Sequence, residues 1–220
     1  MADAKKGDSF MRQNRIKKFL AAGLSGLLIV SFGGCGQTAK LPQEVVNTSL
    51  VVEKDGKVTS YLVNTFDKDF YTLDGLEAMV REEADAFNST HGDGQEDSMT
   101  VKTVQMLESG ATVQVVQDFD SADSYAEYNE QDLFYGTRAE ALAEGISVDL
   151  DLVDATDGAP ADSEKLDKAL EKGHLIITNA SAYIYCPYPV LYVSEGVVMG
   201  EDGCVDASQS DGVVTILMKK

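Results

Sequence analysis

The chain reads as an α+β protein built from antiparallel hairpins with interspersed short helices and a β-rich C-terminal part. Three observations predict this. Turn-forming dipeptides sit between short β-branched runs, amphipathic helical spacing recurs in separate short segments, and from His174 to Met218 apolar strands alternate with Pro, Gly and Asp.

"SLVVEKDGKVTSYLVN" places two β-branched runs around Asp55-Gly56, a dipeptide suited to tight turns, and predicts a hairpin over Ser49 to Asn64. In "LDGLEAMVREEADAFN", Leu73, Leu76, Val80, Ala84 and Phe87 recur at helical spacing, and Asp74 with Glu77 suits a capping box. "STHGDGQEDS", Ser89 to Ser98, has a loop composition that takes in His91. A second hairpin follows: Met99 to Leu107, a turn near Ser109-Gly110, and Ala111 to Phe119.

"SADSYAEYNEQDLFYGT" opens on a capping serine, sets Tyr125 and Tyr128 on one helical face and ends in an aromatic loop. Thr137 and Glu140 make a capping box for a short helix that Gly145 stops. Two ββα units thus follow one another. "ISVDLDLVD" alternates, which turns Ile146, Val148, Leu150 and Leu152 toward a core. Glu164 to Lys172 forms a short helix with Leu166 and Leu170 inward and Gly173 as its stop. The strands "HLIIT", "SAYIYC", "PVLYVS", "GVVM" and "GVVTILM" complete the chain.

The N-terminal part has a different character. Arg12, Arg15, Lys17 and Lys18 precede an uncharged run from Phe19 to Phe32, the layout of a secretory signal. The ten residues before Met11 do not fit that layout, so Met11 is the expected true start. Phe32-Gly33-Gly34-Cys35 resembles the lipobox of bacterial lipoproteins, although leucine is favoured where Phe32 stands. The resemblance implies cleavage before Cys35 and a diacylglyceryl thioether on its sulfur. A retained transmembrane helix over Phe19 to Ala39 is the competing reading, since that stretch is uncharged and long enough to span a bilayer. Glycines at 23, 26, 33, 34 and 36 weaken it, each costing about 1 kcal/mol in a helix interior.

The expected organisation is therefore a signal peptide over 1–34, a lipid anchor and tether over 35–45, and a single extracytoplasmic domain over 46–220. "SADSYAEYNEQDLFYGT" and "PVLYVSEGVVM" also resemble stretches of uncharacterised small lipoproteins of anaerobic Gram-positive bacteria. That resemblance implies an anchor and a cell-envelope habitat, and no reaction.

Residues 1–34 hold six basic and two acidic side chains, so the remaining 186 carry 12 Lys plus Arg against 35 Asp plus Glu. The mature part then has a net charge of −23, where the whole chain has −19. Such a polyanion does not bind nucleic acid through its phosphates. Its carboxylates keep it soluble and repel an anionic membrane surface.

Chemistry-bearing residues are sparse. The two histidines are His91, in the expected loop, and His174, after a helix-ending glycine where an imidazolium is often structural. The sequence contains no G-x-S-x-G and no glycine-rich phosphate loop, and no cofactor is expected. Asp149, Asp151, Asp154 and Asp157 offer hard oxygens but lack EF-hand spacing, so a solvated acidic face is expected rather than a metal site. Cys186 and Cys204, eighteen residues apart, are a candidate disulfide outside the cytoplasm, although Cys186 also suits a small buried side chain.

Tyr125, Tyr128, Phe134 and Tyr135 are the candidate ligand platform, because aromatic faces stack on carbohydrate or grip a peptide; core packing is the plainer reading of the same residues. The expected function is a membrane-anchored, extracytoplasmic, non-catalytic module contacting an envelope carbohydrate or protein. A small envelope hydrolase using acidic residues is the alternative, and it requires two carboxyls in one cleft with separated pKa values.

Overall fold

The computed structural model describes residues 39–68, 71–91, 97–108, 110–200 and 202–220. The chain is α+β, with four helices and twelve strands among the described residues.

Strands β1 (Ser49–Val52) and β2 (Val58–Thr65) form the expected hairpin, with Ser49 opposite Tyr61 and Val52 opposite Val58. Gly56 turns it at φ 88°, where a side chain would be strained, and the Asp55 carboxylate accepts from Lys57 N at 3.3 Å. Helix α1 (Leu73–His91) is capped two residues before Asp74, where the expected capping box would begin it. Thr72 caps it, its Oγ1 accepting from Gly75 N at 3.2 Å, and Glu77 instead receives Arg81 at 2.8 and 2.9 Å. The helix also outruns Phe87. Thr90 Oγ1 donates back to the Phe87 carbonyl at 2.9 Å and the His91 ring stacks on Phe87 with centroids 4.2 Å apart, so Ser89 to His91 are helical rather than loop.

Strands β3 (Met99–Met106) and β4 (Thr112–Phe119) follow as the second hairpin, and β4 also lies against β2 along its whole length. Helix α2 (Ala122–Asn129) begins at Ser121, whose hydroxyl accepts from Ser124 N at 3.1 Å. The expected aromatic loop is in fact strand β5 (Leu133–Gly136), held because Phe134 and Tyr135 pair with Ile177 and Ile176 of a later strand. Helix α3 (Arg138–Ala143) carries the full Thr137/Glu140 capping box.

The expected strand over Ile146 to Asp154 is mostly absent. The Asp149 carboxylate accepts from Asp151 N at 3.0 Å, which bends the chain and breaks the alternation; Leu150 is left 47% exposed. Only β6 (Leu152–Asp154) remains, with Ile146 and Val148 half-buried. Helix α4 (Ser163–Lys172) is capped by Asp162 and buries Leu166 and Leu170. It stops at Gly173 through close approach: a Cβ there would stand 2.5 Å from the Met218 carbonyl oxygen.

The rest is β7 (His174–Thr178), β8 (Tyr183–Tyr185), β9 (Val190–Ser194), β10 (Val198–Met199), β11 (Val205–Asp206) and β12 (Val214–Met218). One sheet runs β10-β11-β8-β1-β2-β4-β3 and the other β5-β7-β12-β9-β6. In the first, β8 joins β1 in parallel, so the C-terminal part of the chain completes the N-terminal hairpins.

A single cluster of buried side chains links the sheets. It takes Leu50, Val52, Phe119 and Ile184 from the larger, Ile176, Val193, Ile216 and Met218 from the smaller, and Val80, Ala84 and Tyr125 from α1 and α2. The opposite face of the smaller sheet holds a second cluster, where Leu175, Ile177 and Leu217 meet Leu166 and Leu170 of α4 and Ala141 of α3. β7 and β12 are buried on both faces, which explains their unbroken apolar runs. Each such Leu or Ile contributes about 1.5–3 kcal/mol through burial.

Candidate functional site

The expected aromatic platform does not assemble. Tyr125 is 3% exposed inside the first core cluster; its hydroxyl donates to Gln131 Oε1 at 2.7 Å and its ring meets Phe119 edge-on at 5.4 Å. Tyr128 is half-buried against Phe119 and Phe87, and burial, aided by the charge of Glu83, pushes its phenol up to about 12. Phe134 is buried in the second cluster, whereas Tyr135 packs with the first. Their adjacency on β5 guarantees that separation, because neighbouring strand residues point to opposite faces.

Cys35 and the expected signal peptide over 1–34 lie outside the described residues. Cys186 and Cys204 are both buried free thiols rather than a disulfide. Val205 pairs with Ile184, so Cys204 stands opposite Tyr185, on the other side of the sheet from Ile184 and Cys186. Cys186 belongs with Ile184 to the core, while Cys204 bonds to the Tyr185 side chain. Burial raises both thiol pKa values, that of Cys204 to about 11, so neither is a ready nucleophile.

The acidic loop is explained by local turns. Asp149, Asp154 and Asp157 each accept from a backbone N–H two residues onward, at 3.0, 2.8 and 2.9 Å. Among the described residues no group of three or more His, Cys, Asp or Glu side chains is placed to hold a metal ion. Among the described residues, two carboxyls depart from their ordinary pKa. Glu83 on α1 is raised, by burial and then by Glu82; Glu140 on α3 is lowered, by its hydrogen bonds to Thr137. They answer to different neighbours.

What the fold does bring together lies at the β1–β2 turn. A groove of about 540 Å³ runs between that turn (Glu53, Lys54, Asp55, Lys57), the segment at Ala39 and Leu41, and Tyr185-Cys186-Pro187 at the end of β8. Beside it stands an aromatic cluster. His174 sits 5.5 Å from Tyr135 and 5.7 Å from Tyr188, ring centre to ring centre, and Lys54 Nζ lies 5.4 Å over the Tyr188 ring. The Tyr135 hydroxyl donates to the Lys54 carbonyl at 3.3 Å, tying β5 to the turn.

Lys220 Nζ lies 3.2 Å from His174 Nε2. An ammonium can only donate, so Nε2 accepts and the ring proton belongs on Nδ1. Burial, and then the Lys220 charge, hold the His174 pKa below its ordinary value, and the imidazole is neutral at pH 7. This reverses the expected helix-end imidazolium. His91 is the protonatable one: it lies at the end of α1, bonded to the Phe87 carbonyl and, through Nε2 at 2.8 Å, to Glu127, and these bonds raise its pKa.

Asp55-Gly56 marks the turn in the sequence, but the groove depends on the parallel β1–β8 pairing, for which the sequence carries no local signal. Chemically the groove offers two ammonium groups, two carboxylates and an aromatic flank, a surface for a polar or ionic partner. No family model, curated protein or solved structure matches this chain.

Proposed function

We propose that this protein is a lipid-anchored extracytoplasmic module whose work is binding within the cell envelope rather than catalysis. The observation that carries the reading is the stretch Leu28 to Gly36, an uncharged run closing on Gly33-Gly34-Cys35 behind the cluster Arg12, Arg15, Lys17 and Lys18. The two acyl chains of a diacylglyceryl group on the Cys35 sulfur would hold the protein durably, since each buried methylene adds about 0.8 kcal/mol. A polar envelope partner, carbohydrate or protein, is the ligand class this reading implies, and the buried, protonated thiols favour binding over nucleophilic chemistry.

Metabolic labelling with a palmitate analogue tests the anchor. The wild-type chain is expected to take up label and to shorten by its leader, and Cys35→Ala to do neither. Label retained in Cys35→Ala, or a cytosolic chain that keeps its leader, overturns the reading.

A further inference from the structure

Resting on the lipid-anchor reading, we propose that the end of the molecule bearing the β1–β2 turn sits on the phospholipid headgroups, so that the groove opens toward the bilayer and the acidic remainder points away. The first argument is chain length. From Cys35 to Ala39 is four residues, a reach of at most about 14 Å. Wherever Ala39 sits, the membrane lies close by.

Ala39 is held against the body. Lys40 N donates to the Asp202 carbonyl at 3.2 Å, and a Cβ on Gly203 would stand 3.6 Å from Ala39 Cα. Further along, Gln114 Nε2 donates to the Val45 carbonyl at 2.6 Å, and Thr48 and Val63 exchange two bonds of 3.2 Å. The segment therefore runs as a strap along the larger sheet before entering β1, and its start is fixed at one end of that sheet.

Strand direction identifies that end. β8 runs parallel to β1, so Pro187 emerges beside Glu53; Val205 opposite Ile184 brings the β10–β11 turn, 200–204, to the same place. The groove lined by Ala39, Lys54, Lys57 and Pro187 is the meeting point. Met218 opposite His174, with Lys220 on the His174 ring, brings the C-terminus alongside.

Charge selects the same end. Lys40, Lys54, Lys57, Lys219 and Lys220 share it with Glu53, Asp55 and Asp202, with Glu140 beside Lys220, and with Asp118 and Asp120 where β4 ends, a near-balanced group on a body whose net charge beyond residue 34 is −23. An anionic leaflet repels the rest of the surface and leaves this end to approach, with lysines within reach of lipid phosphates.

The chain contains no tryptophan, so a single introduced indole reports its own position without background. The full chain, expressed with its leader and purified in detergent, would be reconstituted into phosphatidylcholine and phosphatidylglycerol vesicles containing a headgroup-nitroxide lipid. Lys57→Trp and Asp202→Trp probe the proposed face. Glu108→Trp probes the far end, which β2 separates from the turn by about 23 Å.

Vesicle flotation is read beside the emission. The expected result is flotation with strong loss of emission at positions 57 and 202 and little at 108. Flotation with equal quenching, or with 108 quenched most, overturns the orientation while the anchor stands. Flotation with no quenching and a blue shift at position 57 that grows with protein density assigns the face to a second copy and also overturns it. Failure to float removes the anchor, and the proposal with it.

Discussion

His174 and His91 are the same residue type placed in opposite electrostatic conditions. His174, buried beside the Lys220 ammonium, has a folded pKa below its ordinary 6.5, so the unfolded chain takes up the proton first. Its neutral form supports the fold fully above about pH 6.5, and that support is lost as pH falls from there toward the folded value. His91 has the reverse sign. Its raised pKa contributes stability below the unfolded value, and this is lost as pH rises through the folded one. The two trends oppose each other in the wild type. Thermal melts at constant ionic strength between about pH 5 and pH 7.5 separate them: His174→Phe should show a smaller rise of Tm with pH than the wild type. Parallel profiles would show that the imidazole stays hydrated. Neither histidine's state was legible in sequence, because Lys220 is 46 positions from His174 and Glu127 is 36 from His91.

Among the elements, β3 shows how an exposed sheet edge is protected. It is the outermost strand of the larger sheet, and such edges invite pairing with other chains. α1 answers with side chains. Asn88 Nδ2 donates to the Met99 carbonyl at 2.8 Å while Asn88 Oδ1 accepts from Met99 N at 2.9 Å, the pattern of a neighbouring strand, and Arg81 Nη1 donates to the Val101 carbonyl at 3.2 Å. A register shift between Val101 and Thr103 then interrupts the edge. Asn88→Ala strands both Met99 groups and is expected to cost about 2 kcal/mol, read as a lower urea midpoint with unchanged slope. Light scattering should rise as well. An unchanged midpoint would mean that water replaces the amide at no cost. Sequence periodicity locates α1 and β3 but not this service, since Asn88 falls where the helix reads as ending.

At the scale of the whole molecule, charge repulsion opposes compaction. Beyond residue 34 the chain carries 35 acidic and 12 basic side chains, and the ion pairs that form are exposed, as in Lys57–Asp55, Lys168–Glu164 and Arg81–Glu77. Exposed pairs contribute little, so their loss to screening is minor beside the repulsion that salt relieves. Tm is therefore expected to climb as ionic strength rises from about 0.01 M to about 1 M, where the screening length falls from about 30 Å to about 3 Å. A falling Tm would assign the stability to ion pairs instead.

The sequence by itself determined the α+β class, both N-terminal hairpins, the N-terminal caps of α2 and α3 and the stop of α4 at Gly173. These rest on contacts between residues a few positions apart, such as Asp55 with Lys57, Ser121 with Ser124 and Thr137 with Glu140. Only the tertiary structure decided that the aromatic segment at Leu133 is a strand, that Tyr125 is core, that Cys186 and Cys204 lie on opposite sides of a sheet, and that the groove exists at all. Each of those follows from pairing between strands about 20 or more positions apart, or from the face that such pairing imposes. The free energy of those pairings comes from shared burial, which a local window of sequence does not contain.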